Sequence, residues 1–193
     1  MLKEKLKNYK IILASGSPRR QQFFKDLDLD FEIRIREIDE IYPENLVKQE
    51  ITNYLAELKS KAFNGEILEN EIIITSDTLV WLDGKILSKP IDYHDAFEIL
   101  KSISNNIHYV YTSVCFATNK SKTTIFDETK VTFKELSDSE IHYYLENYKP
   151  FDKAGAYGIQ EWIGLIGITK IDGSYSNVVG LPTEKVYEFL NKL

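Results

Sequence analysis

Only one cysteine, Cys115, stands in the 193 residues. That excludes an internal disulfide framework and a multi-cysteine zinc site. Cys115 lies in the strand-like run Ser113-Val-Cys-Phe-Ala117, which predicts a buried, inert thiol rather than a nucleophile. The three histidines, His94, His108 and His142, show no metal-ligand spacing and no Ser/His/Asp order. Zinc chemistry and serine-type acyl transfer are therefore poor candidates, and the missing Gly-x-x-x-x-Gly-Lys-Ser/Thr loop excludes a P-loop enzyme. No apolar stretch approaches the roughly 20 residues that span a bilayer. The segment Met1-Leu-Lys-Glu-Lys-Leu-Lys-Asn-Tyr9 is too polar for a signal-peptide core, so a cytoplasmic location is expected. A long basic run is absent too, and the net charge is −6. A duplex-binding protein usually carries a basic face, so neither nucleic acid nor membrane is an expected partner. Repeats, low-complexity tracts and Pro/Gly-rich linkers are missing. The expectation is a single domain over residues 1–193, in one or two lobes.

What the chain does have is a globular composition, 43% hydrophobic and 12% aromatic. Strand and helix patterns alternate, which predicts an α/β protein with a mixed sheet flanked by helices. Residues 10–15 and 31–36 read as strands and 18–28 as a helix. Residues 44–64 read as a helix that stops at Asn64-Gly65. Ile72-Ile73-Ile74 reads as a short strand buried on both faces. Leu79–Leu82 and Lys85–Leu87 flank Asp83-Gly84, the strongest hairpin signal in the chain. A helix follows at 92–103, then two long antiparallel strands at 107–117 and 123–134 around a polar turn. Ser137 with Glu140 forms a capping box for the next helix, and the last helix opens near Pro182.

Chemistry is concentrated in a few places. Leu13-Ala-Ser-Gly-Ser-Pro-Arg-Arg20 runs from a strand through a Ser/Gly turn into a helix, with Ser17 as N-cap and Pro18 at the first helical position. Arg19 and Arg20 then add cations to a helix end that is already positive. An anion in front of them resolves that conflict, and hydroxyls, N–H groups and guanidinium forks suit a phosphate. Asp77 follows the buried run 72–74, so it is expected beyond the carboxyl end of a strand, where it could orient water or hold a hard cation beside Thr78. Lys89, fixed in an extended form by Pro90, could return toward Asp77 after the hairpin. Lys59 and Lys61 lie on the 44–64 helix, and Asp39-Glu40 are adjacent carboxylates suited to a metal. Taken singly, Asp77, Lys89, Lys59 and Asp39-Glu40 each read by default as a turn or surface charge. Asp152-Lys-Ala-Gly-Ala-Tyr-Gly-Ile-Gln160 surrounds one tyrosine with small residues, and the Gln160 amide could read a base edge. Gly173-Ser-Tyr-Ser-Asn-Val-Val-Gly-Leu-Pro182 repeats the small-polar-then-Pro design, as a structural loop or a second phosphate or ribose contact.

As an ordered set, these segments resemble the Maf family of septum-formation-type nucleoside triphosphate pyrophosphatases. The matching pieces are the 13–20 turn, Asp39-Glu40, Ala56-x-x-Lys59, Asp77-Thr78-x-Val80, Gly84-Lys-Ile-Leu-x-Lys89-Pro90, the 152–160 segment and the 173–182 segment. The resemblance implies a Maf, inosine triphosphatase-like fold with two lobes and a deep nucleotide cleft. It implies cleavage of a nucleoside triphosphate to monophosphate and pyrophosphate with a divalent metal, Mg²⁺ or Mn²⁺. By motif, Asp77 would be the catalytic base and Ser15 and Arg20 would hold phosphate. Glu40, Lys59 and Lys89 would complete the catalytic site, with Glu40 and Asp77 on the metal. Arg19, Thr78 and Gln160 match positions associated with base preference, and the 152–160 segment resembles the branch acting on dTTP and UTP. The chain departs from the family at Ser88 and at Glu161-Trp162, where glycine is usual. Two other readings stand beside this one: a pyrophosphatase for 7-methyl-GTP or modified purines, and a non-catalytic nucleotide-binding regulator of septum formation. Which of Asp77 and Glu40 activates water is left open by the sequence, as is the oligomeric state, a homodimer included.

Overall fold

The structure, a computed structural model, describes residues 2–193; Met1, the first residue of the expected domain, lies outside the described residues. The elements in chain order are α1 (Leu2–Lys5), β1 (Lys10–Leu13), α2 (Pro18–Asp26), β2 (Phe31–Ile33), α3 (Gln49–Lys61), β3 (Glu71–Leu82), β4 (Lys85–Leu87) and α4 (Tyr93–Ile103). They continue with β5 (Ile107–Ala117), β6 (Lys122–Phe133), α5 (Asp138–Tyr148), a 3-10 turn (Ala154–Ala156), α6 (Trp162–Gly167), β7 (Ile168–Asp172), α7 (Tyr175–Val179) and α8 (Thr183–Leu190). The strands form a mixed sheet in the order β2-β1-β3-β5-β6-β7, with β4 paired to β3. No helix among the described residues is long and apolar enough to cross a membrane.

The chain divides into two compact units. The first takes the chain up to Asp77, then Thr112–Asp127 and Gly180–Leu193. Its parallel strands β1 and β3 carry the continuous apolar runs Ile11–Leu13 and Ile72–Ile74, buried on both faces, whereas the outer parallel strand β2 is largely exposed. Ile11, Leu13, Ile72, Ile74, Val114 and Phe116 pack with Phe24 of α2 and with Val186 and Leu190 of α8. The alternate residues Ile12 and Ile73 pack on the other face with Phe63, just beyond α3. Cys115 is buried, as expected for an inert thiol, with its Sγ 3.5 Å from Ser60 Oγ. Glu71, at the start of β3, is also buried; Arg34 grips both its carboxylate oxygens at 2.8 and 3.2 Å and holds the carboxyl below its ordinary range.

The second unit comprises Thr78–Tyr111 and Glu128–Val179. Val80, Leu82, Val110, Val131 and Phe133 form the strand side of its core; α4 and α5 supply the helix side through Leu100, Ile103, Ile141 and Leu145. The β3–β4 hairpin is as expected: Leu82 pairs with Lys85, and both turn residues, Asp83 and Gly84, have positive φ. That conformation follows the strand twist and suits Asp-Gly. The Ser137–Glu140 capping box is present at α5.

Three expectations need correction. The strand expected at 31–36 ends at Ile33. The helix expected at 44–64 spans only Gln49–Lys61, because Lys48 has φ +53° and the Glu50 carboxylate accepts from Val47 N–H, closing the first turn. The two strands expected at 72–74 and 79–82 are one strand, β3, so Asp77 lies in mid-strand rather than beyond a strand end. Thr75, Ser76 and Asp77 look like a polar break, but all three are buried and stay in the ladder.

His108 is buried in the second unit, where its Nε2 shares a 2.8 Å hydrogen bond with the Tyr157 hydroxyl and Nδ1 has no partner. Burial pushes its pKa from 6.5 down to about 4. The unfolded chain therefore takes up the proton first, and stability present above pH 6.5 drains away as the pH falls toward 4. Between about pH 7 and about pH 5 the loss assigned to this one group is about 2 kcal/mol. Urea melts at the two pH values should show that loss in the wild type and a shallower one in His108→Gln; equal slopes would show that His108 titrates normally.

Candidate active site

The site in the first unit is built on neighbouring turns of β3 and α3. Thr75 and Asp77 point to the same face of β3, as residues two apart do in a strand. Thr75 Oγ1 donates to the Ala56 carbonyl at 2.6 Å, which seats α3 on the strand. Three residues along that helix, Lys59 Nζ donates to Asp77 Oδ1 at 2.6 Å. The same ammonium lies 3.0 Å from Glu40 Oε1. Lys59 thus joins the two carboxylates singled out in the sequence. Lys61 goes elsewhere, 5.9 Å from the centre of the Tyr54 ring. Burial pushes the Asp77 carboxyl above its ordinary pKa, opposed by Lys59 and Arg20 and assisted by the charge of Glu40. A raised carboxyl pKa moves toward neutrality, the direction that suits a general base.

The second group stands on the turn between β1 and α2. Ala14 N–H continues the ladder to the Ile74 carbonyl at 2.8 Å, so the turn leaves the sheet beside β3. Ser17 caps α2, its Oγ accepting from Arg20 N–H, with Pro18 behind it. Ser15 Oγ accepts from Ser17 N–H at 3.3 Å and from Arg20 Nη1 at 3.4 Å. Arg20 also donates through Nη1 to the Ser76 carbonyl at 2.9 Å and through Nε to the Gly180 carbonyl at 2.8 Å. A guanidinium fork can satisfy acceptors in several directions at once; an ammonium cannot keep that planar geometry. Burial lowers the Arg20 pKa, the negative charge of Asp77 raises it, Arg19 lowers it and Glu40 raises it. Ser15, Arg20, Glu40, Lys59 and Asp77 therefore form one connected set in the first unit.

The two holders of Arg20, the Ser76 and Gly180 carbonyls, escaped the sequence reading because backbone acceptors leave no side-chain signature. Gly180 carried an indirect signal: it has φ +120° and stands near the end of the 173–182 motif. Within that motif, in the second unit, Asn177 is buried and its amide donates to the Val110 carbonyl at 3.1 Å and to Thr129 Oγ1 at 2.9 Å.

Thr78 follows Asp77 on β3 and is half-buried, and Arg19 is half-buried on the first turn of α2. Lys89 and Gln160 are both exposed in the second unit. The 152–160 segment packs tightly on the β3–β4 hairpin there. Gly155 N–H donates to the Ser88 carbonyl at 3.3 Å, and a Cβ on Gly155 would stand 3.0 Å from Val80 Cγ2. The unusual Glu161 turns into its own unit: it accepts from the Tyr144 hydroxyl and pairs with Lys153 at 3.2 Å. Tyr144 in turn accepts from Gly158 N–H at 3.0 Å. Burial, with Glu161 alongside, raises the Tyr144 phenol above its ordinary pKa. Trp162 packs on the Tyr143 ring, with centroids 4.7 Å apart.

Among the described residues, no cluster of three or more His, Cys, Asp or Glu side chains gathers as a ready-made metal cage. The donor set is Glu40 and Asp77, whose carboxylates already share one cation, the Lys59 ammonium. One or two carboxylates completed by substrate phosphates and water is the usual holding for Mg²⁺, so the residues fit such an ion.

Residues 10–193 match the family model described as Maf-like protein. The chain is 67% identical over 193 residues, all of both chains, to the dTTP/UTP pyrophosphatase of Flavobacterium johnsoniae. It is 65% identical over 190 residues, 98% of this chain and 97% of the relative, to the dTTP/UTP pyrophosphatase of Flavobacterium psychrophilum. Among solved structures, the Ham1 protein of Staphylococcus aureus aligns over 67% of this chain and 72% of its own, at 14% identity and a TM-score of 0.45. With the Ser15–Arg20 turn, the Lys59-linked carboxylates and a family match over nearly its whole length, this chain belongs to the Maf-like protein family.

Proposed function

We propose that the chain is a nucleoside triphosphate pyrophosphatase that hydrolyses dTTP and UTP to the monophosphate and pyrophosphate, with residues 1–193 acting as one catalytic domain. The observation that carries this reading is the buried Asp77 carboxylate, held by Lys59 and set beside the Arg20–Ser15 turn. The names of the full-length Flavobacterium relatives support the choice of substrate. Phosphoryl transfer needs charge neutralisation and positioning more than covalent chemistry, and the set supplies both.

In this mechanism Asp77 accepts the proton of a water that attacks the α-phosphorus. The bond from the α-phosphorus to the bridging oxygen breaks, and pyrophosphate leaves with its charge held by Arg20 and Lys59. Ser15 and the first N–H groups of α2 receive phosphate oxygens. We assign the base to Asp77 rather than Glu40 because Asp77 is buried with a raised pKa, whereas Glu40 is largely exposed. Glu40 and Asp77 would hold Mg²⁺ or Mn²⁺, and the ion would supply neutralisation of phosphate charge. Roles for Lys89 on phosphate and for Arg19, Thr78 and Gln160 in base choice rest on the motifs alone. A cytoplasmic location fits the nucleotide substrate and the single buried thiol.

Asp77→Asn keeps the shape of the side chain but removes the proton acceptor, so turnover of dTTP should fall roughly a hundredfold or more. A folded variant with near-normal turnover would reject Asp77 as the base. In ¹⁸O-water the label should enter the monophosphate and not pyrophosphate; label in pyrophosphate, or release of diphosphate and phosphate, would point to a different hydrolase. A nucleotide panel including 7-methyl-GTP separates the pyrimidine reading from the purine one, and retention of nucleotide without pyrophosphate release would mark a binding protein.

Arg20→Lys should raise KM for dTTP about tenfold or more, because an ammonium cannot keep the three-way anchorage that aims the guanidinium. Steady-state kinetics check this, and an unchanged KM would remove Arg20 from phosphate binding. Gln160→Ala should shift the ratio of UTP to GTP turnover more than it lowers turnover on the better substrate; equal loss on both would end its role in base choice.

A further inference from the structure

Strand β2 forms one end of the sheet. Its ladder to β1 runs past Ile33, because Arg34 N–H donates to the Leu13 carbonyl at 3.2 Å. In a parallel ladder alternate residues turn both backbone groups to the same neighbour. Glu32 and Arg34 therefore face β1, and Phe31 and Ile33 turn their N–H and C=O groups outward. None of these outward groups meets another backbone segment among the described residues. An edge of this kind is a template for another strand, and proteins commonly guard it with charge or proline. Here proline is absent, and Ile33 and Ile35 are 45% and 56% exposed.

The side chains along this edge are complementary to themselves. The segment reads Asp30-Phe31-Glu32-Ile33-Arg34-Ile35-Arg36. Laid antiparallel on a second copy with a two-fold axis at Ile33, it sets Asp30 opposite Arg36, Phe31 opposite Ile35, Glu32 opposite Arg34 and Ile33 opposite itself. All seven positions are then matched in polarity and, where charged, opposite in sign, and such cross-strand pairs stabilise a sheet. The outward groups of Ile33 also make the central pair the kind that exchanges two N–H···O bonds. A register shifted by two, centred on Arg34, would bring two guanidiniums face to face. The charges are already ordered within the chain, Glu32 by Lys10 at 2.6 Å and Arg34 by Glu71, so little further side-chain freedom is lost on pairing.

We propose that the β2 edge is a homodimer interface, in which two copies join their sheets antiparallel about a two-fold axis at Ile33. The contact is isologous, so it closes on itself as a dimer and leaves no β2 edge for a third copy to extend. It does not depend on the reaction proposed above.

Sedimentation velocity from about 1 μM to about 300 μM tests it, a span suited to a small interface. The 22.4 kDa chain should pass to a species of twice that mass. Ile33→Lys sets two like charges on the axis and should raise the dimer Kd at least tenfold, with dTTP turnover unchanged. Asp30→Arg and Arg36→Asp should each weaken the dimer, and the two together should restore it. Ile33→Cys should form a disulfide-linked dimer on mild oxidation, since paired strand residues stand about 5.5 Å apart between Cα atoms. The same change at Ile91, 89% exposed in the second unit, should not. A wild type that stays monomeric throughout, an Ile33→Lys variant that dimerises as the wild type does, or equal cross-linking from positions 33 and 91 would overturn the proposal.

Discussion

The Lys59 ammonium holds Asp77 in a position that water would otherwise have to serve. Asp77 lies within a central strand, buried on a sheet face covered by a helix. An isolated carboxylate there would neutralise itself or unfold the strand, since removing one partner of a buried pair costs about 3–5 kcal/mol. Lys59 meets it at 2.6 Å and meets Glu40 at 3.0 Å, so a single cation organises two carboxylates. That constraint explains why α3 must pack with Ala56 over Thr75: the same docking that closes the Thr75 hydrogen bond delivers Lys59 to Asp77. The chemistry of the site and the packing of the helix are one arrangement.

The second constraint is the arginine at a positive helix end. Arg20 is tied by the Ser76 and Gly180 carbonyls and by Ser15 Oγ, acceptors drawn from three separate stretches of chain. Its carbonyl ligand at Ser76 is the residue before Asp77, so the guanidinium and the carboxylate are referenced to the same stretch of β3. The anchorage offsets repulsion from the helix N-terminus and aims positive charge at the turn. The guanidinium is therefore prearranged, which is what the proposed reaction, limited by charge placement, requires.

The outer strand shows a different use of charge. At Asp77 opposite charges make burial tolerable; along Asp30–Arg36 they are graded from acidic to basic on an exposed edge. Reversal of the chain direction brings each sign onto its opposite. A sequence graded in this way is suited to its own antiparallel copy and poorly suited to a parallel one, because only reversal matches the two halves.

Local signals were strong enough to place the Asp83-Gly84 hairpin, the Ser137–Glu140 capping box, the Ser17-Pro18 helix start and the buried Ile72–Ile74 run. Each depends on a few adjacent residues whose backbone preferences are steep. The start of α3 was not legible, because the positive φ at Lys48 belongs to a residue type that gives no warning of it. The continuity of β3 was not legible either: Thr-Ser-Asp reads as a turn until α3 and Arg20 supply partners for its polar groups. Motif order pointed to Ser15, Arg20, Glu40, Lys59 and Asp77, and the sequence by itself determined which residue types are present and which helices and turns carry them. Only the tertiary structure decided that the one Lys59 ammonium bridges Asp77 and Glu40, that Glu161 folds onto Tyr144 and Lys153, and that backbone carbonyls hold Arg20. Those choices depend on distances between segments far apart in the chain, which local preference cannot encode.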